Sequence, residues 1–145
     1  MWKWEAEGQP KAVIAIIHSA YEHHRWYAWL IEKLREEGFH IVMGDLPGHG
    51  EDYKYSRLHS ESFDEYYRYS AQLLKVAEEY NLPIFVIGNG LGGLLALRAL
   101  QKTKVEVAST ILLSPWIQLN KKPGKLSNAL SSLGKLTSNM KLTHD

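Results

Sequence analysis

The 145-residue sequence lacks cysteine, which excludes disulfides, thiolate metal ligands and a cysteine nucleophile. It also lacks an excess of either charge, with 17 basic and 16 acidic residues, so it has no strong positive field to attract nucleic acid. No apolar run is long enough to cross a bilayer. We therefore expect a cytoplasmic protein with no nucleic-acid partner and no stable insertion into a membrane.

Apolar runs alternate with helical patterns along the chain. Continuous apolar runs predict buried strands at 12–17, 39–43, 83–87 and 108–113. Helical spacing or helix-forming composition predicts helices at 26–37, 62–80 and 91–102. Such alternation is typical of βαβ units, so we predict a three-layer α/β fold with a mostly parallel sheet.

Two details of these helices are testable. In the first helix, Trp26, Trp29, Leu30 and Leu34 recur at helical spacing and are expected to form its apolar face. In the second, Ser62 and Glu65 have the spacing of a capping box, and the buried stripe is predicted at Leu73, Leu74 and Ala77.

A glycine-rich turn, Gly88-Asn89-Gly90-Leu91-Gly92, directly follows the apolar run 83–87. Its spacing matches G-x-S-x-G, the strand-to-helix turn that presents the nucleophilic serine in α/β-hydrolases. Gly90 stands at the serine position, so no side-chain oxygen is available there. The small residues Gly88, Gly92 and Gly93 would let the chain reverse sharply and the next helix pack close to the sheet.

Two other interpretations of this turn remain open. It has the composition of an ordinary tight turn between a strand and a helix. Gly88, Gly90 and Gly93 also match G-x-G-x-x-G, the phosphate-binding pattern of dinucleotide-binding folds. That pattern requires an acidic residue at the end of the next strand, whereas Glu106 precedes the strand 108–113.

A second group of residues lies at the end of the first buried strand, His18-Ser19-Ala20-Tyr21-Glu22-His23-His24, and a third is the loop Asp45-Leu46-Pro47-Gly48-His49-Gly50. Together with the 88–92 turn, they make the chain resemble the amino-terminal half of bacterial monoacylglycerol lipase and lysophospholipase-like α/β-hydrolases, the serine aminopeptidase S33-like group. The resemblance covers about residues 2–118, and the D-L-P-G-H-G loop is its most specific part.

The resemblance implies a truncated α/β-hydrolase fold and a family activity, the hydrolysis of carboxylic esters through an acyl-enzyme. It places the oxyanion-hole donors at the amides of Ala20 and Leu91 and the degenerate nucleophile at Gly90. The family glycine after the histidine is Ser19 here. We interpret His18 as a side chain satisfied by nearby backbone rather than as a catalytic group. No cofactor is implied.

The family places its acid and histidine after later strands, which this sequence does not contain. We therefore expect the chain to be inactive alone, and Gly90→Ser to leave the fold intact without creating hydrolysis, because no base activates the new hydroxyl. A fatty acyl group or lipid ester remains the candidate ligand. Half of a split hydrolase and a non-catalytic interaction subunit are the alternatives.

The resemblance also suggests domain limits, with 1–118 as the hydrolase half and 119–145 as a polar tail that either starts a lid-like region or is disordered. The strand 108–113 would be unpaired on one side. Such an edge favours a homodimer or pairing with a complementary chain.

His18, Glu22, His23 and His24 suggest a metal site, because imidazole and carboxylate groups bind zinc. Their spacing is one residue longer than the inverted zincin pattern, and they fall in a predicted loop rather than on one helix. We therefore predict no metal.

Overall fold

The computed structural model describes residues 1–52, 60 and 62–117 and contains one five-stranded sheet. The strands are β1 (Trp2–Trp4), β2 (Ala12–Ile17), β3 (Phe39–Met43), β4 (Ile84–Asn89) and β5 (Ser109–Leu113). The α-helices of the described residues are α1 (Ala28–Glu36), α2 (Phe63–Glu78) and α3 (Leu91–Lys102). Short 3₁₀ turns lie at His24–Tyr27 and Gly50–Asp52.

The strand order is β1-β3-β2-β4-β5, and every neighbouring pair is parallel except β1 with β3. The predicted mostly parallel α/β sheet is therefore confirmed. Strand β1 was not predicted, because a three-residue segment with a lysine at its centre carries no strand pattern of its own and is held by pairing with β3.

Strand β2 lies at the centre of the sheet and is buried along its whole length. Alternate residues point to opposite faces, so Val13, Ala15 and Ile17 pack in one core with α2 and α3. Ile14 and Ile16 pack in the other core, beneath α1. Helices thus cover both faces, which accounts for the continuous apolar run in the sequence.

Helix α2 begins as predicted at Ser62, whose Oγ accepts a hydrogen bond from the Asp64 amide at 3.0 Å. The reciprocal half of the capping box is absent, because the Glu65 carboxylate accepts from the Ser60 hydroxyl at 2.5 Å. The predicted stripe of Leu73, Leu74 and Ala77 is buried.

The predicted apolar face of α1 is partly wrong. Trp26 lies in the preceding 3₁₀ turn, and Trp26 and Trp29 are 66% and 73% exposed. Leu30 and Leu34 pack on the sheet as predicted, together with Tyr27 and Ile31. These also follow the helical period, so the sequence pattern admits two faces about one residue apart.

The predicted tail, 119–145, lies outside the described residues, and the limit at 118 stays a prediction. No helix within the described ranges is both long and apolar enough to span a bilayer. The cytoplasmic location also stays a prediction.

Candidate functional site

The turn at Gly90 joins β4 to α3 at the carboxyl edge of the sheet. Gly90 has φ 51° and ψ −113°, a conformation that is strained for residues with a side chain. Its amide donates to the Leu113 carbonyl at 2.9 Å, and its carbonyl accepts from the Trp116 amide at 3.0 Å. The segment after β5 therefore holds the turn in place.

Three neighbouring glycines allow close contact between backbone segments. A Cβ atom on Gly88 would lie 2.7 Å from the Gly92 carbonyl oxygen, and one on Gly93 would lie 2.8 Å from the Cβ of Pro115. A Cβ on Gly92 would overlap the Ile17 carbonyl oxygen. Because only hydrogen fits in these spaces, the start of α3 can lie directly against the end of β2.

The Ser19 hydroxyl lies over the tip of the turn. Its oxygen accepts a hydrogen bond from the Leu91 amide at 3.2 Å, and the side chain is buried. A Cβ on Gly90 would overlap this oxygen and lie 2.9 Å from the Ser19 Cβ. The expectation for Gly90→Ser therefore needs correction, since a side chain at position 90 is accommodated only if Ser19 moves.

A cavity of about 420 Å³ opens beside this turn. It brings together Ala20 and Leu91, the two residues assigned to the oxyanion hole. Its other lining residues are Tyr21, His49, Phe63, Tyr66, Leu94 and Trp116. The lining is mostly apolar, as in sites that bind small apolar molecules. Sequence reasoning did not find the contribution of Tyr66 or Trp116, because these residues meet the turn only through the fold.

The Glu22 carboxylate joins the loop after β2 to the turn after β4. It accepts hydrogen bonds from the Ser19 amide at 2.8 Å, the Tyr27 hydroxyl at 2.7 Å and the Asn89 side-chain amide at 3.0 Å. Burial raises the pKa of Glu22, but these three hydrogen bonds outweigh burial and hold the pKa below its usual value. Glu22 therefore fixes Ser19 relative to Gly90.

His18 is fully buried and is satisfied by backbone groups, as expected from the sequence. Its Nδ1–H donates to the Ser19 carbonyl at 2.7 Å, and its Nε2 accepts from the Leu46 amide at 2.8 Å. Burial lowers the pKa of His18 to about 4. The neutral ring therefore links the loop after β2 to the D-L-P-G-H-G loop.

His49 carries an unsatisfied buried acceptor. Its Nδ1 lies 3.0 Å from the Pro47 carbonyl oxygen, which can only accept, so the proton is on Nδ1 and Nε2 is bare. Nε2 is buried and has no hydrogen-bond partner in the part of the chain that the structure describes. Because His49 lines the cavity, a ligand is a natural source of the missing donor.

Within residues 1–52, 60 and 62–117, no group of three or more histidine and carboxylate side chains is placed to hold a metal ion. Of the four side chains His18, Glu22, His23 and His24, three are engaged by other groups, His18 by the backbone contacts above. Glu22 is engaged by the contacts above, and His24 pairs with Asp45 at 3.0 Å while its ring stacks on Trp2.

Comparison with known proteins gives a consistent family. Residues 8–145 match the model of the family described as serine aminopeptidase, S33. The chain is 42% identical to the phospholipase YtpA of Bacillus subtilis over 126 residues, which cover 86% of this chain and 48% of that protein. It is 29% identical to the monoglyceride lipase of Rattus norvegicus over 119 residues, 81% of this chain and 39% of that protein.

Among solved structures, the monoacylglycerol lipase of Paleococcus ferrophilus aligns with a TM-score of 0.70 and 26% identity, covering 96% of this chain and 52% of that one. A carboxyl esterase of Bacillus coagulans aligns with a TM-score of 0.70 and 23% identity, covering 94% and 44%. The chain thus spans about half the length of these proteins or less. With its parallel sheet, its glycine turn at position 90 and the match over residues 8–145, it belongs to the serine aminopeptidase S33 family of α/β-hydrolases.

Proposed function

We propose that this chain binds the acyl part of a lipid ester without hydrolysing it. The observation that carries the proposal is the cavity beside Gly90, which combines an apolar lining with a turn that lacks an attacking oxygen. The relatives named phospholipase and monoglyceride lipase support a lipid ester as the ligand class.

The lack of hydrolysis follows from position 90. An acyl-enzyme requires an oxygen on the turn that can attack the carbonyl carbon, and glycine supplies none. Ser19 does not take over this role in our proposal, because its oxygen already accepts the Leu91 amide, one of the two donors that would stabilise the transition state.

Binding is tested with 1-O-decylglycerol, an ether that cannot be hydrolysed. Trp116 lines the cavity, so we expect saturable quenching or enhancement of tryptophan fluorescence that disappears in Trp116→Phe. Trp29→Phe is the matched control, because Trp29 is 73% exposed on α1 and should leave the signal intact. No saturable binding, or a signal that survives Trp116→Phe and is lost in Trp29→Phe, would reject the proposal.

Hydrolysis is tested separately with 1-decanoylglycerol and with a fluorophosphonate probe. We expect no release of decanoate above the uncatalysed rate and no covalent adduct. Turnover or labelling that is abolished by Ser19→Ala would identify Ser19 as a nucleophile and contradict the non-hydrolytic part of the proposal.

We further propose that β5 is an interface with a second copy of this chain. Ile111 and Leu113 lie on one face of β5 and are 51% and 48% exposed, and nothing in the described residues covers them. An apolar edge strand of this kind favours pairing with another strand, and a net charge of +1 opposes self-association little. Sedimentation should give a dimer that Ile111→Lys converts to monomer. A monomeric parent chain would exclude the homodimer and leave a complementary chain as the partner to seek.

A further inference from the structure

The Ser19 hydroxyl and the missing side chain of Gly90 form a pair. The Ser19 oxygen lies where a Cβ on residue 90 would be, and it accepts the Leu91 amide. In the resembled family these positions hold glycine and serine respectively, so this chain has the two residue types exchanged. The exchange returns an oxygen to the tip of the turn, but it comes from the loop after β2 and is bonded to the Leu91 amide.

We propose that Ser19 closes the Leu91 amide to anionic oxygen, so that the cavity selects uncharged hydroxyl-bearing lipids over fatty-acid anions. This inference rests on the proposed acyl-binding function and names the ligand class within it. An anion entering the site would have to displace the Ser19 hydroxyl from the Leu91 amide before it could bind there.

The charges around the site also disfavour an anionic ligand. No lysine or arginine is among the described residues that line the cavity, so an anion finds no positive partner there. The nearest charged group in the hydrogen-bond network is the Glu22 carboxylate, which accepts from the Ser19 amide and repels a second carboxylate. An uncharged ligand avoids both penalties.

One residue of the cavity wall, His49, carries an unpaired acceptor just beneath the surface. His49 Nε2 is a buried acceptor with no partner in the described part of the chain, and His49 lines the cavity together with Ala20. A hydroxyl group can donate to such an acceptor, whereas a carboxylate has no proton to donate. The Leu91 amide is thus not a free donor, and the unpaired His49 acceptor can take a hydroxyl but not a carboxylate once the atoms that cover it move aside.

The test compares decan-1-ol with decanoate at pH 7.5, where the acid is ionised, using the Trp116 fluorescence signal. We expect the wild-type chain to bind decanol about tenfold more tightly than decanoate. Ser19→Ala frees the Leu91 amide, so decanoate should bind about tenfold more tightly to this variant while the affinity for decanol changes less than about twofold.

A second measurement covers the case in which Ser19→Ala does not fold. In the wild-type chain, the Leu91 amide resonance should not move on addition of decanoate, because Ser19 already occupies that amide. Equal or tighter binding of decanoate by the wild-type chain would overturn the inference, as would an unchanged affinity ratio in a folded Ser19→Ala variant. Either result leaves acyl binding itself intact, whereas failure of both ligands to bind would reject the proposed function as well.

Discussion

The hydrogen-bonded residues around the site and the glycine at the tip of its turn differ in how many side-chain contacts they make. Glu22 accepts three hydrogen bonds and His18 makes two with backbone groups, whereas Gly90 carries no side chain. The difference teaches that the support serves the fold itself. A buried polar group without a partner destabilises any folded chain, whereas a nucleophile is needed only for chemistry.

The largest expected effect comes from adding a side chain at the tip. Gly90→Ser places a Cβ against Ser19 and in a positive-φ conformation, so we expect unfolding free energy to fall by about 4 kcal/mol. Adding Ser19→Gly removes the overlap but not the φ strain, and should recover about 2 kcal/mol. Urea unfolding of both single variants and the double variant measures the coupling. Additive effects would mean that the two positions do not share one space.

The second-largest effect is expected from removing the Glu22 carboxylate, which accepts three hydrogen bonds beside the turn. Glu22→Ala leaves the Ser19 amide, Tyr27 and Asn89 without their shared acceptor, which should cost about 3 kcal/mol at about 1 kcal/mol per hydrogen bond. Glu32→Ala on the exposed face of α1 is the control, because its ion pair with Arg35 should contribute less than about 1 kcal/mol. Thermal unfolding compares the two. Equal losses of stability in Glu22→Ala and Glu32→Ala would mean that the Glu22 hydrogen bonds contribute no more than an exposed ion pair.

A smaller effect is expected from pH. The pKa of His18 is about 4 in the folded chain and about 6.5 when unfolded, so the unfolded state binds the extra proton between these values. The contribution of His18 to stability is therefore present above pH 6.5 and is lost as the pH falls toward 4. About 2 kcal/mol of it is lost between pH 7 and pH 5. His18→Gln keeps a donor and an acceptor without titrating, so its stability should vary less over this range. If the unfolding free energy of His18→Gln varied with pH as in the parent chain, a group other than His18 would cause the effect.

The smallest effect concerns Tyr21, which has φ 67° at the mouth of the cavity. Tyr21→Gly relieves this strain and should stabilise the chain by about 0.5 kcal/mol after the entropy of glycine is counted. Asn81→Gly is the matched control at φ 53°, where asparagine tolerates the conformation and little gain is expected. Differential unfolding curves decide between them, and a larger gain at Asn81 would contradict the strain argument.

The sequence predicted those parts of the molecule that depend on local pattern. Strands β2 and β3 have the predicted bounds because continuous apolar runs are typical of buried parallel strands. Helix α3 also has the predicted bounds, and the turn before it lies at Gly90 as expected.

Other features depend on contacts that no local pattern contains. The hydrogen bond from the Leu91 amide to Ser19 joins residues 72 positions apart, and the unsatisfied Nε2 of His49 follows from how the D-L-P-G-H-G loop packs. For the Leu91–Ser19 hydrogen bond, the sequence offered one indication, the serine that stands in place of the family glycine at position 19. For His49 the sequence offered none, because a histidine in a loop is ordinarily solvated.

The two edge strands of the sheet, β1 and β5, differ in how readily another strand can pair with them. Strand β1 is three residues long and has Lys3 at its centre, features that discourage another strand from adding there. Strand β5 is longer, and no described residue covers the face that carries Ile111 and Leu113. Because only one border invites addition, the dimer proposed above would end assembly through the sheet as a closed pair and would not continue into a fibre.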